Sequence, residues 1–211
     1  MALYLKIPFK IDKDYSYINF EDDDDDDDDG DVIKRVAGYE IRAEDLTSLE
    51  GTNWLTDQII NATFQNLCTS KIFFKDTFFL ETLKRKGMEG VQKIKDISTL
   101  DYVFFPYHIP GHWSLVVFDV RRTTVSLLDP MKNIDSDILH TIGKYLRAHG
   151  LKVSRNKGLE KEAPAQNSSG DCGVFVIAYA HVLVDGGSLK ELKVCYTKTK
   201  EMGYFSLIHN Q

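Results

Sequence analysis

Apolar residues fall on alternate positions at the start of the chain. Leu3, Leu5, Ile7, Phe9 and Ile11 share one side, with Lys6 and Lys10 on the other, the period of an edge strand with one buried face. After a polar interruption a second alternating segment runs from Val32 to Ile41, and the two are expected to pair as a hairpin. From Tyr39 onward apolar positions are dense. Asp45 is placed to cap a short helix in AEDLTSL. Trp54, Leu55, Ile59, Ile60, Phe64, Leu67 and Cys68 then recur with a helical period. TFFLETLKRK predicts a further helix, and GMEGVQKIK is a candidate for another. The middle of the chain changes period: DYVFFPYHI, HWSLVVFDV and TVSLLDP are short, β-branched and aromatic, with Arg121–Arg122–Thr123 as a tight turn between the last two. Ile134, Ile138, Ile142, Tyr145 and Leu146 return to helical spacing until Gly150, and LKVSRN predicts another strand. The run GVFVIAYAHVLVDGG, closed by Gly186–Gly187, reads as a buried helix. This order implies an α+β or α/β layer structure around a small sheet.

Charge changes the picture only at one place. The 211 residues carry a formal net charge of −6, but Glu21 and Asp22 to Asp29 are an unbroken acidic block, and the rest of the chain carries about +3. Like charges at this density repel one another, so the block is expected to be a mobile, solvated spacer or an electrostatic contact for a basic partner. We therefore divide the chain into an N-terminal extension, 1–38, containing the acidic tract 21–29, and a folded domain, 39–211. No apolar run is long enough to cross a bilayer, and the first residues do not read as a secretory signal. Cys68, Cys172 and Cys195 are widely spaced with no CxxC, which argues against a disulfide framework or a zinc site and for a reducing, intracellular compartment. No metal, cofactor, nucleic acid or membrane is expected, and a monomer is.

Candidate chemistry centres on QNSSGDCGVF. Cys172 is either a small buried hydrophobe or a nucleophile at the mouth of a helix, where unpaired amides and the helix dipole favour a thiolate. A Gly on its C-terminal side would leave room for substrate. The base that a thiol nucleophile needs is His112, which follows Pro110–Gly111 and opens a strand. If HWSLVVFDV and TVSLLDP form a hairpin, the end of one lies beside the start of the other, bringing Asp129 to His112 as the group that orients its ring. Gln166, six residues before Cys172, is placed to donate a side-chain N–H to an oxyanion alongside the backbone N–H of Cys172. Asp171 reads as a cap or turn residue, and Cys68 and Cys195 as structural.

His-Trp, a strand, Asp, then Gln-x5-Cys-Gly resembles the ubiquitin-like-protein protease family (the Ulp or sentrin-specific proteases). TNWLTDQIIN is similar to that family's WLND-x-x-I signature, with Thr56 where Asn is usual. FFKDTFFLETLKRKGMEGVQK is similar to the Phe-rich segment and following Gly-x-x-x-Val of the SUMO-directed branch. The resemblance covers the chain from about Tyr39 to its end, and Pro130 stands where Ser commonly follows the triad Asp. It implies an α+β, papain-like (adenain-like) cysteine protease fold, a small central sheet flanked by helices, with the triad His112, Asp129, Cys172. It implies cleavage after the Gly-Gly tail of a ubiquitin-like modifier, both in precursors and in conjugates on lysine, with a nuclear location. By the same resemblance Trp54 and Trp113 would close over the Gly-Gly tail, and Asp57 would lie on the surface that docks the modifier. SUMO is the expected modifier. EAPAQN also resembles the branch acting on Rub/Nedd-type modifiers. A related acyltransferase branch lacks the two Trp motifs and needs a basic site for CoA phosphate, which is not evident here. A modifier-binding protein without activity is the alternative outside enzymes.

Overall fold

The computed structural model describes residues 2–6, 32–94, 96–193 and 206–210. Three strands, β1 (Ala2–Lys6), β2 (Val32–Val36) and β3 (Tyr39–Arg42), precede helices α1 (Ala43–Ser48) and α2 (Asp57–Leu67). There follow β4 (Ile72–Phe74), α3 (Phe79–Lys86), β5 (Tyr102–Ile109), β6 (His112–Asp119) and β7 (Thr124–Leu128). Then come α4 (Ser136–Ala148), β8 (Arg155–Leu159), α5 (Cys172–Val184), β9 (Leu192–Lys193) and β10 (Ser206–Asn210).

The central sheet has the order β4-β5-β6-β7-β8, with β5, β6 and β7 an antiparallel meander and a parallel strand at each edge. Its middle strands are apolar at consecutive positions because both faces are covered. Phe104, Leu115, Val117 and Leu128 pack on α2 and α5. The alternate residues, Val103, Phe105, Val116, Phe118 and Leu127, pack on α3 and α4. Pro106 is tolerated because it lies past the end of β4, which pairs only with Tyr102 to Phe104.

α5 is the structural axis of the site. From Cys172 to Ala180 every residue is buried. Its Val and Ile residues each cost up to about 0.7 kcal/mol in helix propensity. Burying each contributes roughly 1.5–3 kcal/mol, so packing decides the conformation. α2 is fixed at its start by a buried carboxylate. Asp45 accepts from the backbone N of Arg42 at 2.9 Å and from the Thr56 hydroxyl, and the Thr56 side chain caps α2 by accepting from Ile59 N. This clamp sets where Trp54 and Asp57 stand.

Four expectations change. The hairpin forms within the second alternating segment, β2 with β3 around Ala37–Gly38, while β1 pairs antiparallel with β10. Residues 7–31, including the acidic tract, lie outside the described residues, as does Cys195. GMEGVQKIK forms only a 3-10 turn, Met88–Gly90, after Gly87 ends α3 with a positive φ of 71°. The strand expected at LKVSRN begins later, at Arg155. Leu151 and Val153 are spent packing the exit from α4 against the core before the chain runs parallel to β7. The expected helix over Trp54–Cys68 starts at Asp57, with Trp54 and Leu55 in the lead-in before its cap. β4 was not anticipated: three residues are too few to show a period.

Candidate active site

The β6–β7 hairpin brings His112 and Asp129 together. Leu115 pairs with Leu128, so Asp129, one residue on, falls level with Ser114, and His112 follows two residues away on the same face. His112 Nε2 lies 3.0 Å from both carboxylate oxygens of Asp129. Ser114 Oγ donates to Oδ2 at 2.7 Å and the backbone N of Met131 donates to Oδ1 at 2.7 Å. Both members of the pair are buried, His112 at 5% and Asp129 at 3% exposure. The β5–β6 turn that launches His112 is Pro110–Gly111, and Gly111 takes a positive φ of 76°. It also lies under the Trp54 ring: a Cβ there would sit 3.0 Å from Trp54 Cη2.

Electrostatics favour the ionised pair. Burial alone would push the His112 imidazole down, but its hydrogen bond to Asp129 and its interaction with Cys172 outweigh this and raise it to about 9. Burial likewise opposes ionisation of Asp129, yet His112, Ser114 and the Met131 amide hold it below the usual carboxylate value. Nδ1, the other His112 ring nitrogen, is buried with no hydrogen-bond partner of its own. With Nε2 turned to Asp129, it is the ring nitrogen available to a further group, and Cys172 is near enough to influence the ring.

Ser114 is a member of this site that pattern reading missed; only its position two residues from His112 on a strand signals it. Ser114→Ala is expected to remove about 1.5–3 kcal/mol of stability, the worth of a hydrogen bond to a charged group. Urea unfolding measures this, and an unchanged midpoint would show that Asp129 does not depend on the hydroxyl.

Cys172 is the first residue of α5, 1% exposed, with Asp171 at the N-cap position. Asp171 is buried and its side chain makes no capping hydrogen bond to the helix. The loop before it passes against the α1–α2 connection so closely that a Cβ on Gly170 would lie 1.9 Å from the Thr52 carbonyl oxygen. Gly173 does not open space for substrate as its position suggested. It admits Leu55, whose side chain would lie 3.0 Å from a Cβ there. Gln166 stands on the same loop, its backbone N donating to Pro130 O at 2.9 Å and its Nε2 to Ser168 O at 2.9 Å. A primary amide carries a second N–H, which that bond leaves over.

Trp54 and Trp113 differ in setting. Trp113 is 4% exposed, donates from Nε1 to Leu55 O at 2.9 Å, and packs its ring on His108 at 4.5 Å. Trp54 is 53% exposed and reaches across to the loop before Cys172, Nε1 donating to Ser169 O at 3.1 Å. Both line a cavity of about 650 Å³ together with His112, Asp57, His108 and Phe78. Cys172, Asp129 and Gln166 are not on its wall. Burial and nearby Asp45 raise the carboxyl of Asp57, while His108 moderates it. His108 itself is lowered by burial, with Asp57 opposing. No local pattern in the sequence signals His108; its place opposite Trp113 in the β5–β6 register is what brings it to the cavity.

Comparisons with known proteins identify the family and the fold. Residues 53–207 match the family described as the Ulp1 protease family, C-terminal catalytic domain. Sentrin-specific protease 3 of Homo sapiens is 36% identical over 149 residues, covering 64% of this chain and 26% of the relative. Sentrin-specific protease 5 of Homo sapiens is 31% identical over 153 residues, covering 66% and 20%. The chain thus spans about a quarter or less of the length of these curated relatives. Among solved structures, SUMO protease Ulp1 with its catalytic cysteine oxidised to a sulfenic acid superposes with a TM-score of 0.66 at 24% identity, covering 74% of this chain and 78% of that one. The Ulp1 protease domain in complex with Smt3, the yeast ortholog of SUMO, gives 0.64 at 24% identity, covering 71% and 74%. At these identities the likeness establishes the fold, the α+β papain-like arrangement expected.

Proposed function

Because the chain belongs to the Ulp1 protease family, we propose that it is a cysteine protease and isopeptidase that cleaves after the Gly-Gly tail of a SUMO-type modifier. The observation that carries this is the buried His112–Asp129 pair, its second ring nitrogen left for a cysteine at the N-terminus of α5. The SUMO assignment draws on the names of the relatives, sentrin-specific proteases and a protease caught with Smt3. Residues 39–211 are the proposed catalytic unit, acting as a monomer inside the cell, in the nucleus or cytoplasm.

The proposed mechanism assigns each group one task. The Cys172 thiolate attacks the carbonyl carbon of the terminal glycine, and the carbonyl electron pair moves onto oxygen. The backbone N–H of Cys172 and the free N–H of Gln166 receive that oxyanion, which preorganised donors stabilise most in a site closed to water. Asp129 holds the imidazolium in orientation. As the tetrahedral intermediate collapses the C–N bond breaks, and His112 gives its proton to the departing lysine amine. His112 then takes a proton from water as the water adds to the thioester. Loss of the C–S bond frees the modifier's carboxylate and restores the thiolate–imidazolium pair. Trp54 and Trp113 face the tail, where two indole rings select residues without side chains. Asp57, on the same cavity, is assigned to docking the modifier.

The test presents SUMO, a Rub/Nedd-type modifier and ubiquitin, each bearing a C-terminal electrophile, to the wild type and to Cys172→Ala. A covalent SUMO adduct with the wild type alone is expected. Adduct with the Rub/Nedd-type modifier alone would move the substrate assignment. If none of the three reacts, the protease reading fails and a modifier-binding role replaces it.

A further inference from the structure

We propose that Lys132 is a positioning residue that locks the loop carrying Gln166 to the turn carrying Asp129, an inference that rests on the protease reading above. The turn after β7 closes with Lys132 N donating to Asp129 O at 3.0 Å, and it holds Lys132 at a φ of +61°. Left-handed backbone is disfavoured for a residue with a Cβ and free of strain for glycine. A lysine kept at such a position needs a reason in its side chain.

That reason is where the ammonium goes. Lys132 Nζ donates to Ala163 O and, at 3.4 Å, to Lys161 O. Ala163 is buried, and a buried carbonyl without a donor is costly. The same loop is tied at two further points. Gln166 N donates to Pro130 O at 2.9 Å, on the same turn as Lys132, and the hydroxyl of buried Tyr179 on α5 donates to Pro164 O. The acid turn, the loop before Cys172 and α5 are thereby cross-braced, and of these three ties the one from Lys132 is made by a charged side chain. The ammonium is half-buried, and burial lowers it while Asp129 and Glu160 counteract.

The chemical consequence falls on the oxyanion, not on the thiolate. Lys132 touches neither Cys172 nor His112 in any described hydrogen bond; it sets the height of the segment from which the Gln166 amide is presented. A donor displaced from the oxyanion's position loses part of its effect on the transition state while substrate binding is spared.

Lys132→Met keeps the length and removes the ammonium; Lys132→Arg restores donors. With a SUMO C-terminal fluorogenic amide, Lys132→Met is expected to lower kcat by about tenfold, a fraction of the 10²–10³ that losing an oxyanion donor outright costs. KM should be little changed, and Lys132→Arg should recover most of the rate. Alkylation of Cys172 by iodoacetamide, which forms no oxyanion, should proceed at the wild-type rate in both. Backbone hydrogen exchange over 161–168 should accelerate in Lys132→Met and return in Lys132→Arg. A wild-type kcat in Lys132→Met overturns the proposal, and so does a parallel loss of alkylation, which would mean damage to the thiolate pair itself. Should the wild type turn over no modifier, the protease reading fails separately. Exchange still judges the brace, and unchanged exchange overturns it.

Discussion

An alanine in place of His112 is expected to lower turnover of a modifier–amide substrate by on the order of 10⁴-fold or more, as loss of a triad base does elsewhere. The size follows from the double role of the ring. In the proposed mechanism His112 pairs with the Cys172 sulfur before attack and carries the proton to the leaving amine afterwards, and no other described side chain hydrogen-bonds Asp129 with an imidazole. The wild type should show its signature in pH. Because the imidazolium is held up to about 9, kcat/KM should fall on an alkaline limb near that value as the ring loses its proton. The residual rate of His112→Ala should lack that limb. Stability is linked to the same proton with a definite sign. The folded value lies above the ordinary 6.5, so this stabilisation is complete below 6.5 and is lost as pH rises through about 9. Asp129, held below its ordinary 3.8, acts oppositely: its contribution is present above that value and is lost as pH falls through its depressed one. A pH profile of kcat/KM that stays flat through pH 9 would sink the assignment of His112 as the charged partner.

What could be read beforehand follows from the range over which each feature is specified. The meander β5–β6–β7 was legible because its strands are long and apolar and its turns carry Pro-Gly and a short polar linker. Once that hairpin is drawn, proximity of His112 to Asp129 is a matter of register alone. α5 was legible for a similar reason: its run is too long for a strand and ends in two glycines. Features specified across the fold stayed hidden. The partner of β1 is β10, some two hundred residues away, and no local pattern distinguishes it from β2. Ser114 reads as one polar position in an apolar strand until Asp129 is set level with it. Lys132 reads as a surface charge until the loop at Ala163 is folded against it. Gly173 illustrates the opposite error. A small residue beside Cys172 suggests room for substrate, but the space next to it is taken up by the Leu55 side chain.

Gly170→Ala is the substitution expected to damage the fold and the site together. The residue does not need a left-handed conformation; it needs the absence of a Cβ. The Thr52 carbonyl oxygen would lie 1.9 Å from the added carbon and the carbonyl carbon 2.8 Å away. Both are backbone atoms, so no rotamer change relieves the overlap, and either the nucleophile loop or the α1–α2 connection must move. Overpacking typically costs about 1–3 kcal/mol. For a chain of this size that corresponds to a fall in Tm of roughly 2–12 °C. Cys172 is two residues away and Trp54, bonded to Ser169 O, spans the same contact. The displacement should therefore also slow alkylation of Cys172 and reduce kcat. Gly173→Ala provides the contrast. Its Cβ would meet Leu55 side-chain carbons at 3.0–3.1 Å, a shift of a few tenths of an ångström, and within a helix alanine is favoured over glycine by about 1 kcal/mol, so a smaller loss than for Gly170→Ala is expected. Thermal unfolding of the pair, with alkylation rates measured on each, separates the cases. Were Gly170→Ala to melt and react like the wild type, the close approach of the nucleophile loop to Thr52 would not be what holds Cys172 in place.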